Sequence, residues 1–119
     1  KRMLTLDGEE IHLTPIECKI VAYLARNSGK VMTYASVMAN VWGPFTDNNN
    51  RILRVNMANI RRKIERNPSQ PQFLFTEVGV GYRMCEDENE FTALSAGYPF
   101  IYTIAKNVLR NPVGSIHSL

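Results

Sequence analysis

The sequence contains only two cysteines and two histidines among 119 residues, which leaves few groups for metal binding or nucleophilic catalysis. Cys18 and Cys85 have neither metal-ligand spacing nor a disulfide-framework pattern, and Cys18 falls within a helical apolar repeat, where we expect a small core residue. His12 and His117 lie far apart in the chain, and neither belongs to a metal-ligand or nucleophile motif. We therefore expect no metal, no cofactor and no enzymatic activity.

Long apolar runs are also missing. No stretch approaches the roughly 18 residues of a membrane span, and the first residues, Lys1 to Leu4, lack the apolar region of a signal peptide. The 45% hydrophobic content is nevertheless enough for a core, so disorder throughout the chain is not expected. These features predict a soluble cytoplasmic protein that does not bind membranes.

Charge is distributed unevenly along the chain. Residues 1–85 carry twelve basic and seven acidic side chains, whereas residues 86–119 carry two basic and four acidic ones. A basic unit followed by an acidic junction suits a domain that faces a polyanion, although scattered charges are typical of an ordinary solvated surface. We divide the chain into a domain, residues 1–84, and a C-terminal extension, residues 85–119.

The domain is predicted to begin with a hairpin and a helix. Leu4 to Leu13 alternates apolar and polar residues on either side of Asp7-Gly8, which is typical of a β-hairpin. Thr14 to Glu17 combines an N-cap hydroxyl, a proline at the first helical position and a glutamate that can reach back to the cap. A helix is therefore expected from this point to Asn27-Ser28-Gly29.

Two further helices and a second hairpin follow. Thr33 can cap a helix that Gly43-Pro44 ends, and Asp47 or one of three asparagines can cap the next helix, which runs to about Arg66. The segment from Phe73 to Met84 predicts two strands around a glycine-containing turn. The expected fold is α+β, a winged helix-turn-helix with a three-helix core, an N-terminal β-hairpin and a C-terminal hairpin as wing.

Helix 51–66 holds six of the fourteen basic residues. At about 100° per residue, Leu53, Met57, Ile60 and Ile64 form one apolar stripe. The far side presents Arg51, Val55, Ala58, Asn59, Arg62 and Arg66. Asparagine can pair with adenine, small apolar groups can touch thymine methyls, and arginines can hold phosphates or guanine, so Val55, Ala58, Asn59 and Arg62 are predicted base contacts. The alternative for an isolated helix is a merely basic surface.

Five motifs occur in order: "LTPIE", "GKVMT", "VWG", "RILRVNMANIRRKIE" and "TEVGVGYRM". Together they resemble the C-terminal effector domain of OmpR/PhoB-type two-component response regulators over about residues 1–84. Within that family, "VWGP" and "NPSQPQFLFTEVGVGYRM" look most like the KdpE group.

The resemblance implies that the chain binds double-stranded DNA and regulates transcription. It places Asn59 on bases and assigns the DNA backbone to Trp42, Arg51, Asn56 and Arg61 and, on the wing, to Thr76 and Tyr82. Three alternatives stay open. Trp42 could be purely a core residue, Asn56 could cap the core, and Arg83 could contact phosphate or form an internal salt bridge. Val78 occupies a position where some members carry a minor-groove arginine, which argues against minor-groove reading.

The resemblance also implies partners. Pro44, Phe45 and Asp47 lie in the loop that in this family contacts RNA polymerase, and the alternative for Phe45 is a buried loop anchor. The family's four-stranded N-terminal sheet is represented by about two strands, and the receiver domain on which a sensor kinase acts is not in this chain. We therefore expect a fragment of a longer regulator.

The extension 85–119 falls outside the resemblance. Its residues Phe100 to Arg110 have a helical apolar stripe, which is expected to pack on this domain or to form a homodimer contact. The competing function for the whole chain is a winged-helix protein-interaction module whose basic face binds an acidic partner.

Overall fold

The computed structural model describes residues 2–6, 9–44 and 49–85, and of residues 2–6 and 9–12 we describe the backbone only. Strands β1 (Arg2–Leu6) and β2 (Glu9–Leu13) pair antiparallel, with Arg2 opposite Leu13 and Leu6 opposite Glu9. This pairing confirms the predicted N-terminal hairpin. The predicted turn residues Asp7 and Gly8, the loop 45–48 and the extension 86–119 with its expected helix lie outside the described residues.

Helix α1 (Pro15–Arg26) begins with the predicted capping box. The Thr14 hydroxyl accepts the N–H of Glu17 at 3.1 Å, and the Glu17 carboxylate accepts the N–H of Thr14 at 3.0 Å. These two bonds satisfy backbone donors that the first turn of a helix leaves unpaired. The cap therefore fixes where α1 starts.

Helix α2 (Tyr34–Trp42) directly follows the short strand β3 (Met32–Thr33). The Thr33 side chain accepts the N–H of Ser36, as expected of its cap. The helix ends at Gly43, whose φ of 109° lies in the region that favours glycine. Both limits of this helix agree with the sequence prediction.

Helix α3 (Arg51–Ile64) ends two residues before its expected limit. Asn50 occupies the N-cap position without a side-chain cap bond, while Asn49 Oδ1 accepts the N–H of Arg51 at 2.9 Å. At the other end, Glu65 has an extended backbone, and its side chain turns towards the next strand. α3 therefore ends shortly before Asn67-Pro68, at a residue whose carboxylate bonds to the segment that leads into β4.

The second hairpin comprises β4 (Leu74–Glu77) and β5 (Gly81–Met84), and β5 also pairs with β3 to give the order β3-β5-β4. Gly79 has φ 76° in the turn, and a Cβ on Gly81 would lie 1.9 Å from the Met32 carbonyl oxygen. Glycine at position 81 thus permits β3 to pair closely with the hairpin.

A single core fills the space between the three helices and this sheet. The innermost side chains come from the helices, the hairpin and the residues that flank it. None of them is more than 1% exposed: Ile20, Leu24, Val37, Leu53, Met57, Ile60, Ile64, Phe73, Leu74 and Cys85. The predicted α3 stripe is wholly included. Because the stripe packs inward, the opposite side of α3 must face outward.

Candidate nucleic-acid interface

The outward side of α3 carries the side chains that the sequence predicted there. Arg51, Val55, Ala58 and Arg62 are exposed, and Asn59 is partly exposed between them. No acidic residue occupies the first turn of α3, and the last turn contains three basic residues. We call the outward residues 51, 55, 58, 59 and 62 the recognition strip. It is a continuous surface of positive charge, amide and small apolar groups.

Two asparagines of α3 have defined orientations. Arg62 Nη2 donates a hydrogen bond to Asn59 Oδ1, so these side chains act as a pair on the recognition strip. Asn56 Nδ2 donates to the carbonyl of Ile52 at 2.9 Å, back along its own helix. Asn56 is thus partly committed to α3, and its contact with the DNA backbone stays a prediction.

Arg61 joins α3 to the second hairpin. Its Nε and Nη2 donate to the Leu74 carbonyl oxygen at 3.1 and 2.8 Å, and Nη2 also donates to Thr76 Oγ1 at 2.8 Å. The guanidinium lies over the Tyr82 ring, 5.6 Å from its centroid. Burial lowers the pKa of Arg61, while nearby Tyr82 and Glu65 act to raise it. An arginine that donates to two partners fixes their relative orientation, because its planar guanidinium holds its donors in a rigid arrangement.

Tyr82 forms the floor of this contact and is only 3% exposed. Its ring meets that of Tyr34 edge to face, with centroids 5.4 Å apart. Burial raises the pKa of Tyr82, as does Tyr34, against the opposing charges of Arg61 and Arg54. The hydroxyl therefore stays protonated at neutral pH. Tyr82 therefore belongs to the core, and its phosphate contact stays a prediction.

Glu65, which the sequence analysis did not single out, holds the start of the hairpin. Its carboxylate is buried and accepts the N–H groups of Gln72, Phe73 and Leu74 at 2.7, 3.0 and 2.9 Å. A carboxylate with several backbone donors is a strong, charge-assisted anchor. The available signal was an acidic side chain at the end of a basic helix, but its partners follow seven to nine residues later, beyond any helical pattern.

The wing tip is apolar, and Arg83 on the wing already forms an ion pair. Val78 is 90% exposed, and Val80 beside it is exposed too. Arg83 Nε donates to Glu77 Oε2 at 3.2 Å, and its guanidinium lies 4.7 Å from the centroid of the Phe75 ring. The internal salt bridge, one of two alternatives for Arg83, is therefore present. An exposed valine at the tip agrees with a wing that lacks a minor-groove arginine.

The remaining predicted contacts lie near the end of α2. Trp42 is half-buried and packs against the core. Pro44 is exposed, whereas Phe45 and Asp47 lie outside the described residues. The expected polymerase contact therefore has one located member, Pro44.

A third side of α3 faces α1. Lys63 Nζ lies 2.7 Å from the buried carboxylate of Glu17, the residue of the capping box. Across the described residues, we find no helix long and apolar enough to cross a membrane and no cluster of three His, Cys, Asp or Glu side chains that could bind a metal. Both cysteines are buried and neither forms a disulfide within this part of the chain.

A helix pair whose second member presents a basic strip, followed by a hairpin fixed to that member, defines a winged helix-turn-helix of the DNA-binding class. The family model for "Transcriptional regulatory protein, C terminal" matches residues 8–84, and the chain belongs to this family. It is the OmpR/PhoB-type family that the five motifs predicted, a family of DNA-binding transcriptional regulators and not of enzymes.

Named relatives agree with this assignment. The KDP operon transcriptional regulatory protein KdpE of Escherichia coli K12 is 42% identical over 82 residues, which cover 69% of this chain and 36% of that protein. The transcriptional regulatory protein KdpE of Mycobacterium tuberculosis H37Rv is 47% identical over 77 residues, covering 65% of this chain and 34% of that protein. The chain thus spans about a third of the length of the curated relatives it matches.

Solved structures show the same fold. The response regulator DrrB of Thermotoga maritima, described as an OmpR/PhoB homolog, aligns with TM-score 0.60 and 34% identity over 67% of this chain and 36% of DrrB. The RstA DNA-binding domain of Klebsiella pneumoniae, solved in complex with the RstA box, aligns with TM-score 0.61 over 70% of this chain and 82% of that domain. At 24% identity, RstA supports the fold alone.

Proposed function

We propose that the chain reads a specific sequence in double-stranded DNA as the effector domain of a KdpE-like response regulator, with α3 in the major groove and hairpin 73–84 as the wing. The observation that carries this proposal is the recognition strip, which lies directly opposite the buried stripe of α3 and beside a hairpin that Arg61 fixes to the same helix. A major groove about 12 Å wide admits one helix with its side chains.

Asn59 and Arg62 are the proposed base readers at the centre of the strip. The Asn59 amide offers an N–H donor and a carbonyl acceptor, the pair that adenine requires, and Arg62 can hold guanine or stabilise the amide orientation. Val55 and Ala58 provide apolar contact beside them. These four residues lie on consecutive turns, so one helix can follow several base pairs.

Phosphate contacts on both sides would fix the register. On the wing, Thr76 Oγ1 already accepts a hydrogen bond from Arg61, so its own proton is the group left to donate to a phosphate oxygen. Arg51 lies exposed at the start of α3, and Trp42 is half-buried at the end of α2. Asn56, Arg61 and Tyr82 are the remaining proposed contacts, and each also has a structural role.

The wider role follows from the family. We infer that a sensor kinase acts through a receiver domain outside this chain, that Pro44, Phe45 and Asp47 contact RNA polymerase, that two copies bind together on DNA, and that the protein works in the cytoplasm. The exposure of Pro44 just after α2 is compatible with the polymerase contact.

Duplexes selected from a random pool with the full chain test the proposal by fluorescence anisotropy. We expect affinity for a selected duplex to fall with salt, and Asn59→Ala to weaken it about 10- to 100-fold, since a bidentate base contact is worth about 1–3 kcal/mol. Asn40→Ala, which removes an exposed amide from α2, is the matched control and should bind normally. Binding without sequence preference, or to an acidic protein instead, would favour the interaction-module alternative.

A further inference from the structure

Ile52, at the start of α3, is an apolar side chain in an unexpected place. It is 50% exposed, and Val55, one turn later, is 51% exposed. Within the described residues, these are the two large apolar side chains that a helix exposes. Both are β-branched. Such residues are normally found in a helix where they pack against other side chains, whereas solvated helix faces carry glutamate or lysine instead. Their exposure therefore indicates that they contact a binding partner.

The position of this pair points to the partner. At about 100° per residue, Ile52, Val55 and Asn59 fall within an arc of about 60°, so Ile52 widens the recognition strip beside Val55. Asn49, Arg51, Ile52 and Val55 line one shallow depression of the surface. A positive charge beside an apolar depression fits a nucleic-acid groove, where phosphates flank the base edges.

Only one apolar group projects from base edges into the major groove, and it is the C5-methyl of thymine. Side chains at i and i+3 have Cβ atoms about 5–6 Å apart, while successive bases on one strand rise by about 3.4 Å. Two branched side chains at this spacing can therefore cover the methyl groups of two neighbouring thymines.

We propose that Ile52 and Val55 form a methyl-reading step that selects consecutive thymines, next to the base contacted by Asn59. This inference rests on the proposed function and deepens it, because it assigns the chemistry of the bases at one end of the site and adds Ile52 as a specificity residue. Arg51 beside the pair would hold the adjacent phosphate.

Replacement of thymine by deoxyuridine removes the methyl group and leaves pairing unchanged. The test uses the full chain and a duplex selected from the random pool, with each thymine replaced in turn. We expect a loss of affinity of about fourfold for each of two adjacent positions, which corresponds to about 0.8 kcal/mol per buried methylene-sized group.

The variants decide whether the pair reads these methyls. For Ile52→Ala and for Val55→Ala, we expect equal affinity for the thymine and deoxyuridine duplexes at the one position that the shortened side chain would have contacted. This comparison is a double-mutant cycle between the side chain and the methyl group. Val31→Ala shortens an exposed valine outside α3 and should retain the full discrimination. Thermal unfolding checks that all three variants fold.

The outcomes separate the two proposals. If the wild-type chain binds duplex in a salt-dependent way but tolerates every deoxyuridine, or if both alanine variants keep its discrimination, the methyl-reading step is wrong and DNA binding stands. If the chain binds no duplex with sequence preference, the proposed function itself fails, and the methyl-reading step fails with it.

Discussion

Arg61 and Arg62 are neighbours in the sequence, yet α3 presents them to different surroundings. Arg61 lies half-buried against the wing, where it bonds to the Leu74 carbonyl and to Thr76. Arg62 is exposed on the recognition strip and bonds to Asn59 of its own helix. The difference follows from a rotation of about 100° per residue, which moves consecutive side chains from one side of a helix to another.

The basic residues of α3 therefore have different roles. The wing side, with Arg61, positions a hairpin; the side facing α1, with Lys63, forms an ion pair with Glu17; and the outward side, with Arg51 and Arg62, is left to contact a ligand. A count of positive charges treats these residues as equal. Their removal should therefore affect stability on two sides of the helix and DNA affinity on the third.

The largest expected effect is at Glu65, on the wing side. Glu65→Ala leaves the N–H groups of Gln72, Phe73 and Leu74 without their acceptor, and Phe73 and Leu74 are buried. We therefore expect the free energy of unfolding to fall by about 3 kcal/mol. Glu65→Gln retains one acceptor oxygen and should lose less. Urea denaturation measures both variants, and equal losses would contradict the anchoring role.

Next comes the arginine pair itself. Arg61→Ala should lower the free energy of unfolding by about 2 kcal/mol, since hydrogen bonds from a charged group are worth about 1.5–3 kcal/mol. The matched variant Arg62→Ala should change it by less than about 0.5 kcal/mol, as is usual for surface substitutions. Equal effects of the two substitutions on the urea midpoint would remove the distinction between the two sides.

Arg62 should also contribute to DNA binding, with an effect of intermediate size. Arg62→Ala is expected to weaken binding to a selected duplex about tenfold while the unfolding curve stays unchanged, because a base contact is worth about 1–3 kcal/mol. Lys19→Ala removes one positive charge from the exposed surface of α1 and serves as the control for net charge. If both variants lost the same affinity, Arg62 would contribute only charge.

The smallest effect is expected at Arg83, on the wing. Its salt bridge to Glu77 is partly solvated, and its contact with the Phe75 ring adds little, so Arg83→Ala should cost about 0.5–1 kcal/mol of unfolding free energy. Measurements at low and high salt show whether the pair is screened. A loss as large as that of Arg61→Ala would mean that contacts between the hairpin's own residues stabilise it as much as its contact with α3 does.

Much of the site could be predicted from local patterns. The Thr14 capping box, the buried stripe that contains Leu53 and Met57, and the outward position of Arg62 all depend on residues within one or two helical turns of each other. Ile52 was missed because it lies at the edge of the outward arc, where a helical wheel alone does not separate exposed from buried side chains.

The sequence by itself determined the three helices, the two hairpins and the sides of α3 that face inward and outward, because hydrophobic periodicity and caps act over a few residues. Only the tertiary structure decided that Arg61 holds the wing, that Glu65 anchors the start of β4, and that Lys63 pairs with Glu17. Those contacts join residues separated by 7 to 46 positions, and their geometry exists only after the core has packed.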